Sequence, residues 1–171
     1  MSLNNGGCFS GDTLVSMDND NKIHISFLKV GDMVDTWNGN TRVENIIPFK
    51  FSGFMYNVEK NATVSTYHPL IKVHISKPKE CFFPKKINCQ RIYYSGTVYQ
   101  IILENKSHIA IGCNTSLQGR LYAGTYSNVL DQNQSDDYYE IFSNSYCYDF
   151  NNNIHDIVEN DPESTITNRY H

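Results

Sequence analysis

No stretch of the 171-residue chain approaches the ~20 consecutive apolar residues that a membrane span needs. Basic charge is scarce: 14 Lys and Arg face 18 Asp and Glu, for a net charge of −4. That balance removes the electrostatic case for binding nucleic acid or an anionic membrane surface. The only basic cluster, Lys77, Lys79, Lys85, Lys86 and Arg91, reads as the solvated face of a hairpin. Cysteine is sparse and odd in number, at Cys8, Cys81, Cys89, Cys113 and Cys147, with no Cys-x-x-Cys pair. This argues against a disulfide framework and leaves each thiol to be explained singly. His68, His74, Cys81 and Cys89 are too irregularly spaced for a zinc knuckle or ribbon. No metal or other cofactor is expected. The N-terminus has neither a basic n-region nor an apolar h-region, so no signal peptide is read there, and an intracellular monomer is the expectation.

A 3.6-residue apolar periodicity longer than two turns is also missing. Present instead are short runs rich in aromatic and β-branched residues, punctuated by Gly and Asn. Thr13–Met17 and Lys22–Ile25 flank the turn-forming Asp18-Asn19-Asp20-Asn21 and predict a hairpin. Strands are further predicted at Val30–Val34, Arg42–Phe49, Phe54–Val58, Leu70–Ile75, Thr97–Leu103 and His108–Ile111. The last two read as one hairpin about Glu104-Asn105-Lys106-Ser107. The fold class is therefore all-β. Residues 1–7 read as an upstream flank in which Met1-Ser2-Leu3 has the character of an expression scar, so the natural chain is expected to begin further upstream. Residues 8–130 form the domain. Residues 131–171 form an acidic, Asn-rich extension, expected to be disordered in part.

Three segments carry possible chemistry. In Gly6-Gly7-Cys8-Phe9-Ser10-Gly11-Asp12, a thiol follows a glycine pair. Glycine lets the backbone bend and leaves the preceding carbonyl unshielded, so the thiol can reach it. A buried structural cysteine is the more ordinary explanation of this segment alone. In Thr63-Val64-Ser65-Thr66-Tyr67-His68-Pro69, a hydroxyl precedes an imidazole by three residues. The imidazole can donate a proton to a leaving amide nitrogen, and a nearby hydroxyl can polarise the carbonyl. A satisfied structural histidine is the ordinary alternative. The third segment runs from Gly96 to Asn114 and ends in Cys113-Asn114.

Together the three resemble a known superfamily. Cys8-Phe9-x-x-x-Thr13-x-Val15, followed by Leu28-Lys29-Val30-Gly31-Asp32-Met33-Val34, resembles the opening block of hedgehog C-terminal domains and inteins. Ser65-x-x-His68-Pro69 is similar to their Thr-x-x-His block, with Ser replacing Thr. Val98-Tyr99-Gln100-Ile101-Ile102-Leu103-Glu104, then His108, resembles their last block. The resemblance covers about residues 6–119 of this Hint (hedgehog/intein) pattern. Within it, Gly6–Asp12, Tyr67-His68-Pro69 and Phe83-Pro84 are most similar to the Vint branch, found with von Willebrand type A domains. The branch's Gly-His-Gly is replaced here by Gln118-Gly119-Arg120.

The resemblance implies an all-β horseshoe that processes its own chain. Cys8 would attack the Gly7 carbonyl to give a thioester. His68 would protonate the leaving Cys8 nitrogen, and Ser65 would hydrogen-bond beside the scissile bond. His108 is the candidate proton carrier of a second step, and Cys113 a candidate to resolve the thioester, in competition with water or a small thiol. The cis substrate would be the upstream polypeptide, such as a von Willebrand type A domain. Asn114 follows Cys113 rather than a histidine, so full splicing is not expected. Two other functions fit the same residues: a non-catalytic all-β interaction module, and a thiol hydrolase acting in trans.

Overall fold

The computed structural model describes residues 8–125, apart from 67, 75, 77–78, 85–88 and 114–118. Among these residues the helical structure is 3₁₀ alone, the turn Ile25–Phe27 and Pro84. The strands are β1 (Phe9–Ser10), β2 (Leu14–Ser16), β3 (Lys22–His24), β4 (Met33–Thr36), β5 (Gly39–Glu59), β6 (Ala62–Ser65), β7 (Leu70–Val73), β8 (Glu80–Phe82), β9 (Gln90–Leu103), β10 (Ile109–Ile111) and β11 (Arg120–Ala123). All pairings between them are antiparallel, in the order β6-β1-β9-β5-β4-β10-β11-β7-β8, with β2 on β10 and β3 on β2.

The long β5 joins the two halves of the fold. Its first residues, Gly39–Arg42, pair with β4, and from Val43 onward it pairs with β9. The ladder register shifts between Val43 and Asn45, where the strand passes from one partner to the other. Such an irregularity bends a strand and increases its twist, which lets one strand serve two sheets. Arg42–Phe49 and Phe54–Val58, predicted as separate strands, are thus one strand. Pro48 lies inside it opposite Tyr99, in the stretch where β5 is paired on one side only. A missing N–H is tolerated there because no second ladder requires it.

The predicted hairpin between Thr97–Leu103 and His108–Ile111 does not form. β9 pairs with β5 and β1, whereas β10 pairs with β2, β4 and β11. The turn residues are real, since the Lys106 N–H reaches Leu103 O at 3.1 Å. The chain nevertheless leaves that turn into the other sheet. Local turn chemistry marks where a strand ends but not which neighbour it takes. The β2–β3 hairpin forms as expected, with Val15 opposite Ile23.

The core gathers Phe9, Val15, Ile25, Val34, Val64, Ile101, Leu103 and Ile109, all without solvent exposure. Phe9 is the core residue that fixes the start of the domain. β1 has two residues, too few for its ladder bonds to hold it. Burial of the Phe9 ring, of the order of 2–3 kcal/mol, anchors the chain immediately after Cys8.

Candidate functional site

Cys8 is fully buried, and its backbone is clasped on both sides by Ser65. The Cys8 N–H donates to Ser65 Oγ at 2.9 Å, and the Ser65 N–H donates to Cys8 O at 3.0 Å. The clasp extends the β1–β6 pairing, in which Phe9 lies opposite Val64. The Cys8 nitrogen is the downstream half of the Gly7–Cys8 amide, so a side chain three residues before His68 contacts that bond directly. Gly7 itself lies outside the described residues. The Cys8 side chain packs with Met55 and Val98. Burial pushes its thiol pKa up to about 12.

His68 leaves β6 through a turn in which its N–H donates to Ser65 O at 3.2 Å. Pro69 follows and biases the chain toward extension, which carries it into β7. The imidazole is fully buried against Phe9, edge to face, with ring centroids 4.4 Å apart. Its Nδ1 is 3.2 Å from Cys8 O, and its Nε2 is 2.6 Å from Gly124 O. Burial lowers its pKa to about 4, against the upward pull of the Gly124 and Cys8 carbonyls. Cys8, Ser65 and His68 therefore form one contact network, built by strands remote in sequence.

His108 precedes β10 and is also buried. Burial first, and then the nearby His68, hold its pKa at about 3. The register Ile109↔Ala123, continued by one residue, places His108 opposite Gly124, whose carbonyl meets His68. The two imidazoles thus flank the same end of β11.

Cys113 lies elsewhere. Its Sγ is 3.4 Å from Asn61 Oδ1, in the turn between β5 and β6. Asn61 and Ser65 bracket β6, four residues apart, which is ~13 Å of extended chain. Asn114 lies outside the described residues. So does the extension 131–171. Among the described residues, no group of three or more His, Cys, Asp or Glu side chains is placed to hold a metal ion.

Two groups near this site carry little sequence signal. Gln100 is fully buried on β9, with neither amide atom hydrogen-bonded among the described residues. It shares the face of Val98, which packs against Cys8. A polar residue inside the apolar run Val98–Leu103 is the clue that could have singled it out. The Gly124 carbonyl is a backbone group, and no residue type signals it.

The Vint family model, a Hint domain, matches residues 7–119. The fold is similar to a KlbA intein precursor from Methanococcus jannaschii, with TM-score 0.52 and 14% identity, covering 77% of this chain and 98% of that one. It is also similar to a bacterial intein-like domain from Clostridium thermocellum, with TM-score 0.51 and 11% identity, covering 69% and 99%. No curated protein sequence matches the chain.

Proposed function

The chain belongs to the Hint-domain family through its Vint match over residues 7–119, and from that premise we propose that it cleaves its own backbone between Gly7 and Cys8. The observation carrying this reading is the contact of Ser65 Oγ with the Cys8 nitrogen, beside the His68 imidazole. The Cys8 sulfur attacks the Gly7 carbonyl carbon, forming a C–S bond. The C–N bond breaks, the thiol proton leaves sulfur, and a proton reaches the departing nitrogen. The product is a thioester at Cys8 Sγ and a free Cys8 amine. Water or a small thiol then releases the upstream polypeptide from Gly7. That polypeptide, a von Willebrand type A domain in the reading from sequence, is the cis substrate. The β domain stays joined to its C-terminal extension, without splicing.

The order of proton movement follows from magnitudes. Burial raises the thiol to about 12 and lowers the imidazole to about 4, so the ordinary gap between them widens greatly. Full proton transfer before attack is strongly uphill, because burial disfavours both the thiolate and the imidazolium. Sulfur therefore gives up its proton as the C–S bond forms, when the developing positive charge on sulfur makes the proton acidic. His68 serves as base and then acid, with Nδ1 directed at the Cys8 backbone. Ser65 holds the amide N–H and so orients the bond being broken. His108 is a proton carrier for release of the thioester. Cys113 joins the second step only if the chain moves it away from Asn61.

The buried, high-pKa thiol also favours a second reading, a Hint-fold module that no longer cleaves. Intact mass after incubation with and without dithiothreitol separates the two. Self-processing predicts a thiol-dependent fragment beginning at Cys8, lost in Cys8→Ala. An unchanged mass under both conditions would favour the inert module.

A further inference from the structure

Among the described residues the His68 ring nitrogens face two acceptors and no donor: Gly124 O at 2.6 Å from Nε2 and Cys8 O at 3.2 Å from Nδ1. A neutral imidazole carries one N–H, so only one contact can be a hydrogen bond. Two lone pairs facing each other at 2.6 Å would repel strongly, whereas 3.2 Å is tolerable, so the proton belongs on Nε2. We infer that the Gly124 carbonyl is a positioning group that locks His68 in its Nε2–H tautomer and leaves the Nδ1 lone pair for the Cys8 side. This inference rests on the self-processing reading. It adds the element that sets the protonation site of the base.

Gly124 is itself fixed. Its N–H donates to Pro69 O at 2.9 Å, so it binds the His68-Pro69 segment through both its N–H and its carbonyl. β11 runs between β7 and β10, with Ala123 opposite both Leu70 and Ile109. Beyond Gly124, the buried Thr125 hydroxyl donates to Ser107 O at 2.7 Å, beside His108. At its start, β11 is held close to β7 by Gly119, whose φ is +88° and whose added Cβ would meet Val73 O at 2.0 Å. Only glycine fits there. The tautomer-setting group thus lies past residue 119, where the family match ends.

The consequence for the reaction is specific. Nδ1 begins as an acceptor and takes the thiol proton. The resulting imidazolium keeps its Nε2–H on Gly124 and carries an Nδ1–H to deliver to the Cys8 nitrogen. The opposite tautomer would present a proton to Cys8 from the outset and could not act as the base there.

Nitrogen-15 NMR of histidine-labelled Cys8→Ala protein at neutral pH reads the tautomer directly, without any cleavage. A protonated Nε2 and an unprotonated Nδ1 for His68 are expected, and an Nδ1–H signal would overturn the inference. A second measurement weakens the acceptor: an ester in place of the Gly124–Thr125 amide, introduced by semisynthesis, which also replaces the Thr125 N–H by oxygen, so the tautomer readout decides. Thiol-dependent cleavage should slow about tenfold, the worth of one net hydrogen bond, and the Nδ1–H tautomer should gain population. Slower cleavage with an unchanged tautomer would reduce Gly124 to a structural part and sink the proposal. If neither the all-amide parent nor the ester protein cleaves yet Nε2–H is observed, the tautomer lock stands and the self-processing reading fails.

Discussion

Two cysteines of this chain each follow a glycine, Gly7-Cys8 and Gly112-Cys113, and in sequence they look alike. Their surroundings differ completely. The Cys8 backbone is held by Ser65 and lies against His68, at the C-terminal end of β6. Cys113 meets Asn61 at the other end of the same short strand. Neither the residue type nor a neighbouring glycine sets the two thiols apart. Two contacts do: a polar side chain on the Cys8 nitrogen, and an imidazole on the Cys8 carbonyl, and on these the proposal of Cys8 as the nucleophile rests.

The sharpest way to break this contrast is to remove each thiol. Cys8→Ala should abolish thiol-dependent cleavage, while Cys113→Ala should stay within a few-fold of the parent rate, both read by intact mass over time. Equal losses in the two variants would bring Cys113 into the chemistry. Next in size is His68→Ala, expected to slow cleavage by roughly 10²–10⁴-fold, as for loss of a general acid–base group. An unchanged rate would remove His68 from the mechanism.

The buried groups also give the Cys8 end a pH signature. His68 and His108 titrate below their ordinary 6.5, at about 4 and about 3. Between 6.5 and those values the unfolded chain binds more protons than the folded one, so stability falls as pH drops through that window, by on the order of a few kcal/mol from each histidine. Cys8 is shifted upward from 9.0 to about 12. Above pH 9 the unfolded chain releases this proton first, so stability falls again as pH rises. Urea unfolding should therefore show a maximum between about pH 6.5 and 9. Cys8→Ala should flatten the alkaline limb and His68→Phe the acid limb. Limbs unchanged in both variants would mean that these groups are not buried in solution.

Much of the fold and part of the site are legible in the sequence, and the rest is hidden for identifiable causes. The all-β class and the β2–β3 hairpin are written in Asn-rich turns between β-branched runs, and both are observed. The grouping of Cys8, Ser65 and His68 is legible only through resemblance to the Hint pattern, because no local rule joins residues 57 apart in sequence. The expected β9–β10 hairpin is absent because strand partners are chosen by long-range packing. The two-residue β1 has no periodicity to detect, and the Gly124 carbonyl has no side chain to betray it. The smallest expected effect concerns the acidic extension. Deleting residues 151–171 removes few large apolar side chains and should leave cleavage within a few-fold. A loss of folding would instead make that segment part of the domain.

The central claim is a thioester at Cys8, and hydroxylamine tests it most directly. The chain should be fused downstream of a reporter protein through its own Gly6-Gly7, incubated with neutral hydroxylamine, and analysed by mass spectrometry. The account predicts a reporter carrying a hydroxamate on Gly7 and a fragment beginning with Cys8, neither of which forms from the Cys8→Ala fusion. A fusion that stays intact, or that yields the same hydroxamate without the Cys8 thiol, would contradict it.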